Sequence, residues 1–239
     1  MGSGALQKGC WKLTLRSHPS PNCGPRRDGA RPDIVVIHYT AMPSAKAALD
    51  TLCNPENEVS AHYLIAADGA VMALVPEALR AWHAGAGRWG RVSDVNSRSI
   101  GIELCNDGFS PFAAAQMDAL TDLLRGIRAR WGIRPERVIG HSDMAPGRKI
   151  DPGARFDWRR LAHAGLAVWP DPCGSADTAG FVPLMRAFGY TATDNPDVLL
   201  QVFRLRFRPW ASGPLDTTDA GLIHNLARRF PVDVNAACT

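Results

Sequence analysis

Apolar positions along this chain follow two different periods. Ile34-Val35-Val36-Ile37 runs on into His38-Tyr39 as a continuous β-branched stretch, which predicts a buried strand. Residues 61–66 and 70–75 predict two shorter strands, and the Asp68-Gly69 pair between them is a strong hairpin signal. Residues 99–104 predict a further strand, and residues 137–140 a short one that runs into His141. Helical spacing is clearest over residues 113–131, where Met117, Leu120, Leu124, Ile127 and Trp131 recur every three or four positions and Gly132 supplies the stop. Residues 44–53 read as a short helix with Ser44 as its N-cap, and residues 158–164 as another that ends at Gly165. Strands interleaved with helices, one hairpin among them, predict an α/β fold with a mixed central β-sheet flanked by helices.

Pro170-Asp171-Pro172-Cys173-Gly174-Ser175 has the chemistry of a linker. Beyond it the pattern is purely helical. Phe181, Leu184, Met185 and Phe188 share one face, and Val198, Leu199, Val202, Phe203 and Leu205 form a second apolar helix. Residues 218–230 form a third, with Leu222, Ile223 and Leu226 inward. The expected organisation is a basic, irregular lead-in over residues 1–31, a main domain over 32–170 and a small C-terminal three-helix domain over 177–235. About 60 residues bury too little surface for an independent core, so the small unit should dock on the larger one.

Composition narrows the partners. Of 239 residues, 46% are hydrophobic and 21% charged, which excludes wholesale disorder. The net charge of +4 is concentrated: residues 1–31 carry six basic residues and one acid, leaving the remainder at about −1. A near-neutral body argues against a nucleic-acid surface. No run approaches the roughly 18 apolar residues of a transmembrane segment, so none is expected. The first 25 residues hold no apolar core of a signal peptide, and the six cysteines are scattered without a CxxC pair. These features read as a cytoplasmic protein, although an exported chain whose leader had been removed would look the same.

The candidate chemistry lies at strand ends. His38 closes the first buried strand, His141 follows the short one, and Asp151 comes ten residues later across a loop rich in Pro and Gly. Two histidines and a carboxylate, with a fourth position left for water, are the ligand set of a catalytic zinc site. Single histidines in strands are more often packed or polar surface groups than ligands, so ligand chemistry alone leaves both readings open.

Longer motifs favour the metal. The segment His141-Ser142-Asp143-Met144-Ala145-Pro146-Gly147-Arg148-Lys149-Ile150-Asp151-Pro152-Gly153 resembles the zinc loop of the type-2 N-acetylmuramoyl-L-alanine amidases, a family that shares its fold with peptidoglycan recognition proteins and phage amidases. Val36-Ile37-His38-Tyr39-Thr40, Ser60-Ala61-His62-Tyr63-Leu64-Ile65, Trp82-His83-Ala84-Gly85 and Asn96 through Glu103 match in order, so that the resemblance covers residues 33–160. Phe188-Gly189-Tyr190 and Thr217 to Leu226 resemble, more loosely, peptidoglycan-binding-like three-helix domains. Together the two units look most like the subgroup acting on 1,6-anhydro-muropeptides.

The resemblance implies that His38, His141 and Asp151 bind Zn²⁺, that Glu103 is the general base and that Lys149 stabilises the transition state. Lysine is scarce here, with Lys8, Lys12, Lys46 and Lys149 against 23 arginines, which suggests a need for a compact donor at position 149. Phage and animal relatives often carry a catalytic Tyr where this chain has Ala61, so acid–base duty falls to Glu103. His62, in an alternating strand, reads as structural. Tyr39, Trp82, Asn96 and Arg148 are candidates for substrate contact, through aromatic faces for sugars and an Arg fork for carboxylates. His83 reads equally as a substrate-contacting cleft wall or as a structural hydrogen bonder. Cys53 and Cys105 read as small packed residues.

The implied activity is zinc-dependent cleavage of the lactyl–L-Ala amide of (1,6-anhydro)muropeptides in cell-wall recycling. Two alternatives stand beside it: a periplasmic amidase acting on intact peptidoglycan, and a non-catalytic muropeptide receptor on the same fold.

Overall fold

A computed structural model describes residues 15–171, 174 and 176–233. Residues 1–14 of the expected lead-in, the linker positions Pro172, Cys173 and Ser175, and residues 234–235 of the expected C-terminal domain lie outside that range. The strands are β1 (Leu15–Ser17), β2 (Cys23–Pro25), β3 (Ile34–Tyr39), β4 (Tyr63–Ile65), β5 (Val71–Ala73), β6 (Leu79–Ala81), β7 (Ser99–Leu104) and β8 (Val138–Gly140). The helices are α1 (Ala45–Leu52), α2 (Val95–Arg98), α3 (Ala114–Trp131), α4 (His141–Met144), α5 (Trp158–His163), α6 (Phe181–Phe188), α7 (Pro196–Phe207) and α8 (Thr217–Arg229).

Six strands form one mixed sheet in the order β1-β5-β4-β7-β3-β8, while β2 and β6 pair separately. Within the sheet β4, β7, β3 and β8 run parallel, and β5 runs antiparallel to β4. Alternation along each strand gives the sheet two unlike faces. Val35, Ile37, Ile100, Ile102, Leu104, Tyr63 and Ile65 point to one face, which α3 and α5 cover with Leu120, Leu124, Ile127, Trp158 and Leu161.

The opposite face is shared. Leu64 and Met72 pack under α1 against Ala48 and Leu52. At the other end, Ile34, Val36 and Ile139 join Trp89, Met144 and the inward residues of α6, α7 and α8 in one continuous core. The helical unit therefore docks on the sheet, with the Trp89 indole edge-on to Phe188 and Tyr190. Within that unit the buried Arg204 donates to Asp219 and to the Gly213 and Pro214 carbonyls, which ties α7 to α8. Between the two helical covers lie His38 and Glu103, register partners at the C-terminal ends of β3 and β7, on the same face.

The lead-in differs from expectation. β1 pairs parallel with β5, and β2 pairs antiparallel with β6. Both are three residues long, and β1 is an exposed edge strand, so neither shows apolar alternation. Arg26 is buried as well: its guanidinium donates to the carbonyls of Glu77 (2.8 Å), Ser97 (2.8 Å) and Ser99 (3.0 Å), and so fastens this segment to the body.

Candidate metal centre

Three elements bring the ligand candidates together. β3 carries His38 on the shared face one residue before its end, β8 leads directly into α4 with His141 as its first residue, and the loop after α4 returns Asp151 beside both. Gly140 permits that return. A Cβ there would lie 2.6 Å from Pro152 Cδ, so only glycine lets the Asp151-Pro152 segment cross the start of α4. Ser142 N–H then donates to the Asp151 carbonyl at 2.9 Å and locks the crossing.

His38 Nδ1, His141 Nδ1 and Asp151 Oδ2 form a triangle with sides of 3.0, 2.9 and 3.0 Å, and all three residues are buried. The surrounding hydrogen bonds decide which ring nitrogens carry protons. His141 Nε2 lies 2.8 Å from the Ala84 carbonyl, which only accepts, so that nitrogen holds the hydrogen and Nδ1 presents its lone pair. A longer chain does the same for His38. Ser99 Oγ donates to the Val95 carbonyl at 2.6 Å, so its oxygen is left to accept from His83 Nε2 at 3.1 Å. His83 Nδ1 then accepts from His38 Nε2 at 3.0 Å, leaving the lone pair of His38 Nδ1 facing the triangle.

Three acceptors thus converge with no donor among them. Burial, then the neighbouring His141, lowers the His38 pKa to about 4, so no second proton sits on that ring at neutral pH. Asp151 Oδ2, buried and set against these two lone pairs, finds no donor within the triangle, so a cation there would compensate its charge. A buried anion with two nitrogen lone pairs is the donor set of a metal cation.

Glu103 stands beside this set without belonging to it. Its Oε2 is buried and has no hydrogen-bond partner. Burial, assisted by the charge of Asp151 and opposed by Lys149, pushes its carboxyl up to about 8. A buried polar atom left unpaired carries a desolvation penalty, and such atoms concentrate where chemistry needs them. Lys149 is exposed on the loop, close enough for its charge to act on both Glu103 and His38.

The residues expected to touch substrate divide. Tyr39 is half-buried, and its ring lies against Gly108 and Gly153 next to Asp151. Trp82 is half-buried after β6, its backbone N–H donating to Ser60 Oγ at 2.9 Å. The other three make bonds within the protein. His83 spends both ring nitrogens on His38 and Ser99 and packs over Gly101, where a Cβ would come within 2.5 Å of the ring. The buried Asn96 uses Oδ1 to accept the His83 and Ala84 N–H groups at 3.1 and 2.9 Å. Arg148 wraps Gly85, donating to the carbonyls of Ala84 and Ala86. His83 and Asn96 Oδ1 thus shape the wall behind the ligands, while Arg148 is an exposed residue that commits only Nη2 to these carbonyls.

His62 is structural: Nδ1 accepts from Gly101 N–H at 3.0 Å and Nε2 bonds the Leu79 carbonyl at 3.1 Å. Sequence reasoning missed Ser99, the anchor of the His83 chain, and the exposed Phe109 and Ile150 that flank Gly108 and Asp151. Only the apolar character of the last two, within loops, could have drawn attention to them.

Outer hydrogen bonds that orient a ligand typically contribute 10- to 100-fold to metal affinity. His83→Ala is therefore expected to weaken metal binding by roughly tenfold or more. Competition against a chromophoric chelator measures this, and unchanged affinity would show that the His83–Ser99 chain does not orient His38.

Residues 28–154 match the family model described as N-acetylmuramoyl-L-alanine amidase. N-acetylmuramoyl-L-alanine amidase AmiD of Escherichia coli (strain K12) is 35% identical over 236 residues, spanning 84% of this chain and 84% of its own length. The 1,6-anhydro-N-acetylmuramyl-L-alanine amidase AmpD of Enterobacter cloacae is 33% identical over 178 residues, 67% of this chain and 95% of its own. Among solved structures, E. coli AmiD in complex with the substrate anhydro-N-acetylmuramic acid-L-Ala-D-γ-Glu-L-Lys is similar at a TM-score of 0.78 and 34% identity, over 88% of this chain and 92% of that one. AmpDh3 of Pseudomonas aeruginosa, in complex with anhydromuramic pentapeptide, is similar at a TM-score of 0.77 and 30% identity, over 95% and 99%.

Proposed function

Because this chain belongs to the N-acetylmuramoyl-L-alanine amidase family, we propose that it hydrolyses the lactyl–L-Ala amide of soluble 1,6-anhydro-muropeptides, with Zn²⁺ held by His38, His141 and Asp151. The observation that carries this reading is the triangle of three acceptors beside an unpartnered Glu103 oxygen. Its dimensions suit zinc: ligands at about 2.0–2.1 Å in a tetrahedron stand about 3.3 Å apart, close to the 2.9–3.0 Å between these donors. The names of the relatives support the substrate class, both E. coli AmiD and AmpDh3 having been solved with anhydromuramic peptides.

When bound, Zn²⁺ acidifies a water towards a pKa of about 7 and polarises the amide carbonyl. The protein supplies the rest. Glu103 takes the proton of the attacking water on Oε2 and returns it to the nitrogen of the departing L-Ala, a role suited to a carboxyl whose pKa lies close to the working pH. Lys149 offers a compact ammonium to the negative charge that develops on the amide oxygen. Tyr39 against Gly108 and Gly153, with the exposed Phe109 and Ile150 that neighbour Gly108 and Asp151 along the chain, offers apolar surface for the sugar. Six cysteines scattered without a CxxC pair support a reducing compartment, hence recycling in the cytoplasm.

A second reading keeps the chemistry and changes the substrate to intact glycan strands. It is favoured by the helical unit: the match to AmiD extends over 84% of this chain, whereas that to AmpD stops at 67%. On this reading the three helices are a peptidoglycan-binding-like domain.

Mass spectrometry of products from 1,6-anhydro-MurNAc-tripeptide, with and without chelator, tests the proposal. Free tripeptide should appear, vanish on chelation and return with added zinc. Cleavage that survives thorough metal removal would discard the metal centre, and cleavage of sacculi alone would favour the second reading.

A further inference from the structure

The helical unit reaches the metal centre through one buried carboxylate. Asp143, on α4 two residues beyond His141, accepts three hydrogen bonds: from Gly140 N–H at 2.8 Å, from the Tyr190 hydroxyl at 2.5 Å and from Arg206 Nη1 at 2.5 Å. The first holds the start of α4, and the other two come from the helical unit. Tyr190 follows α6 and Arg206 lies on α7. Arg206 is itself buried, with its guanidinium 4.0 Å above the Trp158 ring and Nη2 donating to the Val138 carbonyl at 3.3 Å. One side chain thus touches β8 and α4, which lead into and carry His141, and also α5.

A turn of four residues has no helical stability of its own, since nucleation alone is unfavourable. Its geometry must come from its partners. An ion pair as deeply buried as Asp143–Arg206 is a poor source of stability, because apolar side chains of similar size often do as well or better. What an apolar pair cannot supply is a directional hold on a backbone N–H.

We infer that the helical unit positions the metal-binding turn: Arg206 and Tyr190 fix Asp143, and Asp143 fixes the α4 N-terminus that carries His141. The inference rests on the reading of His38, His141 and Asp151 as the metal site, and it gives the helices a role independent of glycan binding. Arg206 and Tyr190 are positioning residues, since neither touches a ligand atom.

The test compares wild-type protein with Arg206→Met, Arg206→Lys and Tyr190→Phe. Zinc affinity is measured by chelator competition, and the geometry of the site by the electronic spectrum of the Co²⁺-substituted protein. Arg206→Met should weaken zinc by roughly 10- to 100-fold and shift the Co²⁺ bands. Tyr190→Phe, which removes one hydroxyl and keeps the ion pair, should do so by a few-fold. Arg206→Lys, which keeps a charge within reach of Asp143, should recover part of the loss. The kcat for muropeptide should fall while KM holds. Unchanged zinc affinity and spectrum in both Tyr190→Phe and Arg206→Lys overturn the inference, whether or not Arg206→Met folds. A rise in KM with zinc binding intact also overturns it, by making the unit a substrate module only. If the wild-type protein binds no zinc, the metal reading and this inference fall together.

Discussion

Glu103→Gln is expected to lower kcat/KM by about 10²–10⁴-fold while leaving the bound metal in place. The argument begins with register. Glu103 is the β7 partner of His38 and faces the same side of the sheet, yet it takes no part in the triangle of His38, His141 and Asp151. Glutamine preserves its shape and removes only the ability to accept a proton. The predicted loss corresponds to about 3–5.5 kcal/mol of transition-state stabilisation. Stability should move the other way. A carboxyl pushed up to about 8 by burial, with an oxygen that has no partner, opposes folding when charged, so a neutral amide should hold or raise Tm. Steady-state kinetics, metal analysis and thermal melting of one preparation separate these effects. Near-normal turnover would remove Glu103 from the chemistry and favour a muropeptide receptor, for which this carboxylate is dispensable.

The long elements were legible because their burial is periodic. β3 announces itself by an unbroken β-branched run, and α3 by five apolar residues at helical spacing. Ser44 caps α1 as its residue type suggests, accepting from Ala47 N–H. The elements β1, β2, β6 and α4, three or four residues long, end before a period of 2 or 3.6 can repeat enough to stand out. The ligand set and Glu103 were legible through the resemblance of the motifs around them, since ligand chemistry alone left His38, His141 and Asp151 open to a packed reading. Whether a polar side chain is already satisfied is a different kind of fact. The His83 ring and Asn96 Oδ1 look free in sequence, but each is committed to partners that only the folded chain brings near. The same holds for Tyr190, which stood out only in a loose motif and meets Asp143 across 47 residues.

Asp151→Ala is expected to reduce zinc affinity by at least two powers of ten and to abolish turnover at limiting metal. Zinc binding by four-ligand protein sites is worth about 10–16 kcal/mol, or about 3 kcal/mol per ligand, which sets the lower bound. Charge adds to it, because Asp151 is the sole anion of the set, and a dication facing two neutral imidazoles in a buried site is poorly compensated. The remaining ligands should stay in place. Ser142 N–H bonds the Asp151 backbone carbonyl rather than its side chain, the Ala84 carbonyl still holds His141, and His83 still holds His38. The variant should therefore fold, and excess zinc should restore part of its activity by mass action. Asp151→Asn, which keeps an oxygen donor without the charge, should fall between the two. If Asp151→Ala retained a full complement of zinc, the acceptor triangle would not be the metal site. If it lost zinc and excess metal restored nothing, the carboxylate would be acting on the reaction beyond its part in holding the ion.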